Sequence, residues 1–212
     1  MQNSFFDQNV IYNTMTFTGR GQVTGSPDLA VIRLGVETRG ENLMDAQNAN
    51  AQLAQAILEA LRDMGVSDIT TFQYTIDRVF DFVDGTRVDR GYLIRNILEI
   101  KTNQLNQIGV IIDTAVYHGA NVVDLISFEI ENPQELYLQA LNLAVLETYQ
   151  KARSIAEQLG ISINPIPIRI VENSVVPVPF SRFDAIGERA LATPIEPGEK
   201  EIEASVTVIF TY

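Results

Sequence analysis

Cysteine and tryptophan are absent from this chain of 212 residues, and histidine occurs once, as His118. Without cysteine there is no disulfide, no thiol nucleophile and no cysteine-ligated metal. The redox compartment stays open, because oxidising and reducing surroundings both accept a cysteine-free chain. A single histidine excludes a His–His metal site. Basic side chains are scarce as well: 15 Lys and Arg stand against 27 Asp and Glu, a formal net charge of -12. That charge repels phosphate backbones and no Lys/Arg cluster interrupts it, so nucleic acid is not an expected partner. Its simplest meaning is solubility. No run approaches the ~20 apolar residues that span a bilayer, so no membrane span is expected. The N-terminus, Met1-Gln2-Asn3-Ser4-Phe5-Phe6-Asp7-Gln8, has neither a basic stretch nor a continuous apolar one and does not read as a signal peptide. A cytoplasmic location is therefore expected, or a periplasmic or surface one if a signal was removed.

What is present describes a globular protein, with 46% hydrophobic and 20% charged residues. The length suits one large domain or two small intimate ones. Three helix-like stretches end in glycine and run into an apolar strand: at Gly65 before Ile69, at Gly119 before Val122, and at Gly160 before Ile163. Glycine supplies the left-handed conformation that closes a helix, so each is a helix stop. Residues 1–14 read as a flexible tail. From Met15 a strand alternates, with Met15, Phe17, Gly19, Gly21 and Val23 on one face. A second places Ala30, Ile32, Leu34 and Val36 inward. Asn42 to Met64 carries one apolar stripe at helical spacing. Asp84-Gly85 marks a hairpin with arms of about ten residues, bearing Phe72, Tyr74, Ile76, Phe80 and Phe82.

A second helix is expected over Gln104–Tyr117 and a strand over 122–130. Asn132 and Pro133 suit the cap and first turn of a third, longest helix. Its continuous face is Leu138, Leu141, Val145, Tyr149, Ala152, Ala156 and Leu159, and Leu136, Leu143 and Leu146 lie on another side. A strand follows over Ile163–Val171, with Pro165 and Pro167 implying a sheet edge or a bulged start. Residues 174–198 hold Pro177, Pro179, Pro194 and Pro197 and read as either an arm for assembly or a disordered flap. The last strand turns Ile202, Ala204, Val206, Val208 and Phe210 inward. The sum is an α+β fold of antiparallel sheets, one face covered by helices, with three main helices and about eight strands.

Reactive constellations are few. Gly19-x-Gly21-x-x-x-Gly25 has the wrong spacing for a dinucleotide fingerprint and no helix after it; close packing of another element over Gly19 and Gly21 explains it better. His118, in the last turn of a helix, suits the carbonyl end without catalysis. Glu129 with Glu131, and Glu201 with Glu203, read as solvated faces, and Asp77, Asp81 and Asp84 lack calcium-loop spacing. No Walker loop and no Gly-x-Ser-x-Gly elbow is present. No catalytic residue, cofactor or metal is expected.

Several segments together carry a family resemblance. They are Phe17-Thr18-Gly19-Arg20-Gly21, Pro27-Asp28-Leu29-Ala30, Leu34-Gly35-Val36-Glu37 and Asp45 to Asn50. Gly91-Tyr92, Gly119-Ala120-Asn121 and the long helix through Lys151-Ala152-Arg153 to Gly160 complete the set. In order and spacing they resemble the SIMPL-domain family, which includes bacterial periplasmic immunogenic proteins, over residues 15–212. The resemblance implies helices packed on antiparallel sheets, no established catalytic set, self-assembly into large oligomers, and a link to the envelope or to oxidative stress. The leading expectation is a non-enzymatic, self-assembling scaffold or binding protein, a homo-oligomer with contacts at Leu136, Leu143, Phe180 and Phe183. Its rivals are a small-ligand carrier or enzyme with a pocket near Tyr74 and Tyr92, and a stress-response protein gripping a partner through the 174–198 arm.

Overall fold

The structure, a computed structural model, describes residues 13–173 and 195–212 in full and the backbone of Phe180 and Ser181. Phe183, the tail through residue 12, and most of the 174–198 arm lie outside the described residues. In chain order the elements are β1 (Thr14–Gly25), β2 (Leu29–Gly40), α1 (Leu43–Asp63), β3 (Asp68–Val83) and β4 (Thr86–Thr102). A short 3-10 turn at Leu105–Gln107 leads into α2 (Ile108–Tyr117). Then come β5 (Val122–Glu129), α3 (Gln134–Leu159), β6 (Arg169–Glu172), β7 (Phe180–Ser181) and β8 (Lys200–Thr211). The class is α+β, with two antiparallel sheets. The three glycine stops hold: Gly65, Gly119 and Gly160 take φ of 84°, 110° and 67°.

The elements fall into two units, one built on Ser26–Glu131, the other on β1 with Asn132–Ser181 and Lys200–Tyr212. In the first, the sheet runs β3-β4-β2-β5 and is covered by α1 and α2. Asn42 caps α1, its side-chain oxygen accepting the Met44 and Asp45 N–H groups at 2.8 and 3.4 Å. Ala46, Asn50, Ala54, Ile57 and Leu61, spaced by three or four, bury one helix face. They meet Ala30, Ile32, Leu34 and Val36 of β2, all fully enclosed, with Ile108, Ile111 and Ala115 completing the core. The one amide in that stripe is tied down: Asn50 Nδ2 donates to the carbonyls of Val36 at 3.2 Å and Ile94 at 3.3 Å. A second amide, Asn121, stands in for a strand. Its Oδ1 accepts the Glu37 N–H at 2.7 Å and its Nδ2 donates to the Glu37 carbonyl at 2.8 Å.

The β3–β4 hairpin turns at Asp84-Gly85, both with positive φ, as its sequence required. Its arms are 16 and 17 residues, not about ten. Register shifts at Thr71/Gln73 and Arg78/Phe80 break the alternation that a sequence reading follows, which is why the arms read short. The neighbouring strand β2 last pairs at Gly40 with Tyr92. Beyond that rung the hairpin continues to Val83 and Thr86 as a two-stranded ribbon.

In the second unit β1 pairs β8 along its whole length, from Thr14 opposite Thr211 to Gly25 opposite Lys200. Helix α3 lies across them with Tyr137, Ala140, Ala144, Thr148, Ala152 and Ala156 buried. This buried face is turned from the one expected: Leu138 and Leu159 are exposed, whereas Leu141, Val145, Tyr149, Ala152 and Ala156 do pack. The reason is the strand beneath. A Cβ on Gly19 would lie 2.1 Å from the Ala144 carbonyl oxygen, and one on Gly21 1.9 Å from that of Ala140. Backbones this close leave room for alanine and none for leucine. Leu141, Val145 and Tyr149 flank the contact and pack on Val206, Val208 and Phe210. The cap position of α3 falls on Pro133, which has no side chain to cap with, rather than on Asn132. Strand β6 is also shorter than read. Asn164 and Ile168 donate to β8 carbonyls at 2.9 Å, while Pro165 and Pro167 have no N–H to give, so regular pairing starts only at Arg169. It does sit at the sheet edge.

Candidate functional site

Among the described residues no three His, Asp or Glu side chains converge on a common point. His118 closes α2 with its ring edge-on to Tyr117, centroids 5.3 Å apart. A wide groove of about 480 Å³ runs beside α3, lined by Phe17, Glu147, Gln150, Lys151, Ser154 and Ile155. Its charges are committed to the fold. Glu147 accepts the Arg20 N–H at 2.6 Å and pairs with Lys151 at 2.9 Å, and Lys151 also donates to the Thr18 carbonyl at 2.9 Å. The Arg20 amide, then Lys151, hold the Glu147 carboxyl below the usual carboxylate range, so it stays ionised and is a poor proton carrier near neutrality.

The hairpin concentrates the features suited to contact. On one face of its outer half, arginines and aromatic rings alternate. The Arg78 guanidinium lies 5.7 Å from both the Tyr92 and Phe80 rings, and Arg87 stacks 3.4 Å over Phe80. Arg78 also pairs with Asp89, and Arg90 with Asp81 at 2.7 Å. Asp89 accepts the Gly91 N–H at 2.9 Å; that bond, together with Arg78, lowers its pKa. Cation–π contacts at exposed sites are worth about 0.5–1 kcal/mol each, enough in series to stiffen a ribbon that would be marginal alone. Apolar side chains remain uncovered on it: Phe82 is 75% exposed and Tyr74 and Ile76 are partly open along β3, while Phe72 carries the Arg33 guanidinium 3.7 Å over its ring. Tyr74 is 46% exposed on β3.

Of the four expected contact residues, Leu143 is 45% exposed on α3 with its Cβ close to Gly21, and Leu136 is half-buried. Phe180 lies in β7, paired with Glu201, its side chain undescribed; Phe183 is not described. Of the four, only the side chains of Leu136 and Leu143 are among the described residues. The arginine–aromatic alternation went unread in the sequence. Its signal was there: the register counted outward from Asp84-Gly85 sets Arg87 opposite Phe82 and diagonal to Phe80.

No helix of the described residues is long and apolar enough to cross a membrane. Over residues 15–210 the chain matches the family SIMPL, described as a protein of unknown function (DUF541). It is 26% identical over 205 residues to the 26 kDa periplasmic immunogenic protein of Brucella melitensis, covering 91% of this chain and 82% of the relative. It is 23% identical over 193 residues to the uncharacterized protein YggE of Escherichia coli K12, covering 89% and 76%. The expected cytoplasmic location gains no support from these relatives, one of which carries a periplasmic name. With nearly its whole length matched and helices packed on antiparallel sheets as the resemblance implied, the chain belongs to the SIMPL family.

Proposed function

We propose that the protein is a non-enzymatic, self-assembling scaffold or binding protein that works in the periplasm or at the cell surface. One observation carries the reading. The β3–β4 hairpin runs past its neighbouring strand as a ribbon stiffened by arginine–aromatic stacking, and it leaves Phe82 in water with Tyr74 and Ile76 partly exposed along β3. Exposed apolar surface on an acidic protein is retained where something covers it. The commitment of Glu147 and Lys151 to backbone and to each other supports a non-catalytic role. The periplasmic setting is carried over from the named relative.

Light scattering on the purified full chain tests the reading. The expected mass is a multiple of 23.6 kDa, reduced in Phe82→Asp while circular dichroism is unchanged. A strict monomer at high micromolar concentration overturns it, and a co-purified small molecule on that monomer would favour a carrier.

A further inference from the structure

Strand β1 ends its sheet, and among the described residues no strand lies along its outer edge. In a strand the N–H and C=O of one residue point to one side, and those of the next residue to the other. The Thr18 carbonyl and the Arg20 N–H thus share the edge that faces away from β8. Open edges of this kind recruit further strands unless something fills them. Here the filling comes from α3. Lys151 Nζ donates to the Thr18 carbonyl at 2.9 Å, and the Glu147 carboxylate accepts the Arg20 N–H at 2.6 Å. The two side chains, one turn apart on the helix, also pair with each other at 2.9 Å.

We propose that Glu147 and Lys151 form a latch over the free edge of β1, shut near neutral pH and released in acid. The latch lies on a different surface from the hairpin and holds whether or not the chain assembles. Three bonds in series join Thr18 to Lys151, Lys151 to Glu147 and Glu147 to Arg20, and one proton breaks them at the centre. A neutral carboxyl accepts more weakly than a carboxylate, and its new O–H meets only donors in Lys151 and the Arg20 amide. Lys151 loses its counter-charge at the same moment. The other charges packed around the latch are the Arg20 guanidinium and, 3.8 Å from it, Glu203 of β8. Phe17, Gln150, Ser154 and Ile155, which line the adjoining groove, do not titrate. The Arg20 amide, then Lys151, hold the Glu147 carboxyl below the usual carboxylate range. A depressed carboxyl keeps its bonds above its ordinary pKa and gives them up as pH falls through the lowered one, so release belongs to acid.

Hydrogen exchange in the full chain, corrected for the intrinsic rate at each pH, tests the latch. The Arg20 amide is expected to lose about tenfold in protection as pH falls below the ordinary carboxylate range, because a hydrogen bond to a charged group is what protects it. The Gly19 and Gly21 amides face β8 by the same alternation and are expected to hold, which separates release from unfolding. Glu147→Gln keeps an acceptor of the same shape but has no proton to gain, so its Arg20 amide is expected to show no acid step. Lys151→Met removes the counter-charge, and the step is expected at higher pH; a lysine that only packs would leave it in place. An Arg20 amide that stays protected in acid overturns the latch. So does a step that survives in Glu147→Gln, one that stays put in Lys151→Met, or a loss shared equally by Gly19 and Gly21. The assembly reading is judged separately, by particle mass.

Discussion

Asp89 holds the outer hairpin through two bonds of different kinds, one to the Gly91 backbone N–H and one to the Arg78 guanidinium. Both favour the ionised carboxylate, which is why its pKa lies below the usual value. A carboxyl whose folded pKa is depressed stabilises the fold above its unfolded pKa. That contribution is lost as pH falls through the folded pKa. Amide exchange across residues 79–90 is therefore expected to quicken on acidification below the ordinary carboxylate range. In Asp89→Asn the exchange is fast already at neutral pH and loses most of its pH dependence beyond the intrinsic rate. An unchanged profile in that variant would deny Asp89 this role. Residue-scale features of this sort were mostly illegible in the sequence. Asn50 was read as part of an apolar stripe, and only the structure shows its amide bonded to carbonyls of two different strands. Gly119-Ala120-Asn121 carried the family resemblance, yet nothing in a one-dimensional pattern says that Asn121 would complete a ladder with its side chain. Partners far apart in sequence leave no periodic trace.

Elements were far more legible, because helix stripes and strand alternation repeat within the window that sequence exposes. The glycine stops, the Asp84-Gly85 turn and the inward faces of β2 and β8 all follow from such local rules. The exceptions occurred where a rule was interrupted or where volume decided. Bulges hid part of each hairpin arm, two prolines delayed β6, and the expected α3 face took in Leu138 and Leu159 because hydrophobicity was weighed without the space available. Gly19 and Gly21 were expected to lie under another element, and the carbonyls of Ala144 and Ala140 are what lies over them. The added methyl of Gly21→Ala meets a backbone oxygen, which cannot rotate away as a side chain would. Overpacking of this kind typically costs about 1–3 kcal/mol. Urea denaturation should show a lower midpoint, and a wild-type midpoint would mean that α3 can lift from β1 without loss.

At the scale of the whole molecule, the charge of -12 opposes any association between copies. The exposed apolar side chains of the hairpin favour it. The two forces differ in range. Repulsion between exposed charges reaches about 30 Å at ~0.01 M salt and only about 8 Å at ~0.15 M. Hydrophobic contact is nearly indifferent to such concentrations. Sedimentation velocity is thus expected to show larger particles as salt rises over that interval. Dissociation by salt would instead point to an assembly held by opposite charges. The candidate site was only partly legible for the same reason. The sequence displayed an acidic chain with aromatic residues in a hairpin, but the fact that β3 lies at the end of its sheet depends on strand order, which no local pattern encodes.

The pairing of β1 with β8 has a consequence for how the chain comes to exist. Strands almost two hundred positions apart become neighbours, whereas the other unit draws most of its residues from Ser26–Glu131, with Ile195 added from a later stretch. A ribosome therefore completes the middle of the protein while β1 still waits for a companion nearly two hundred residues downstream. Any product released before β8 emerges leaves the whole length of β1 without its pairing strand.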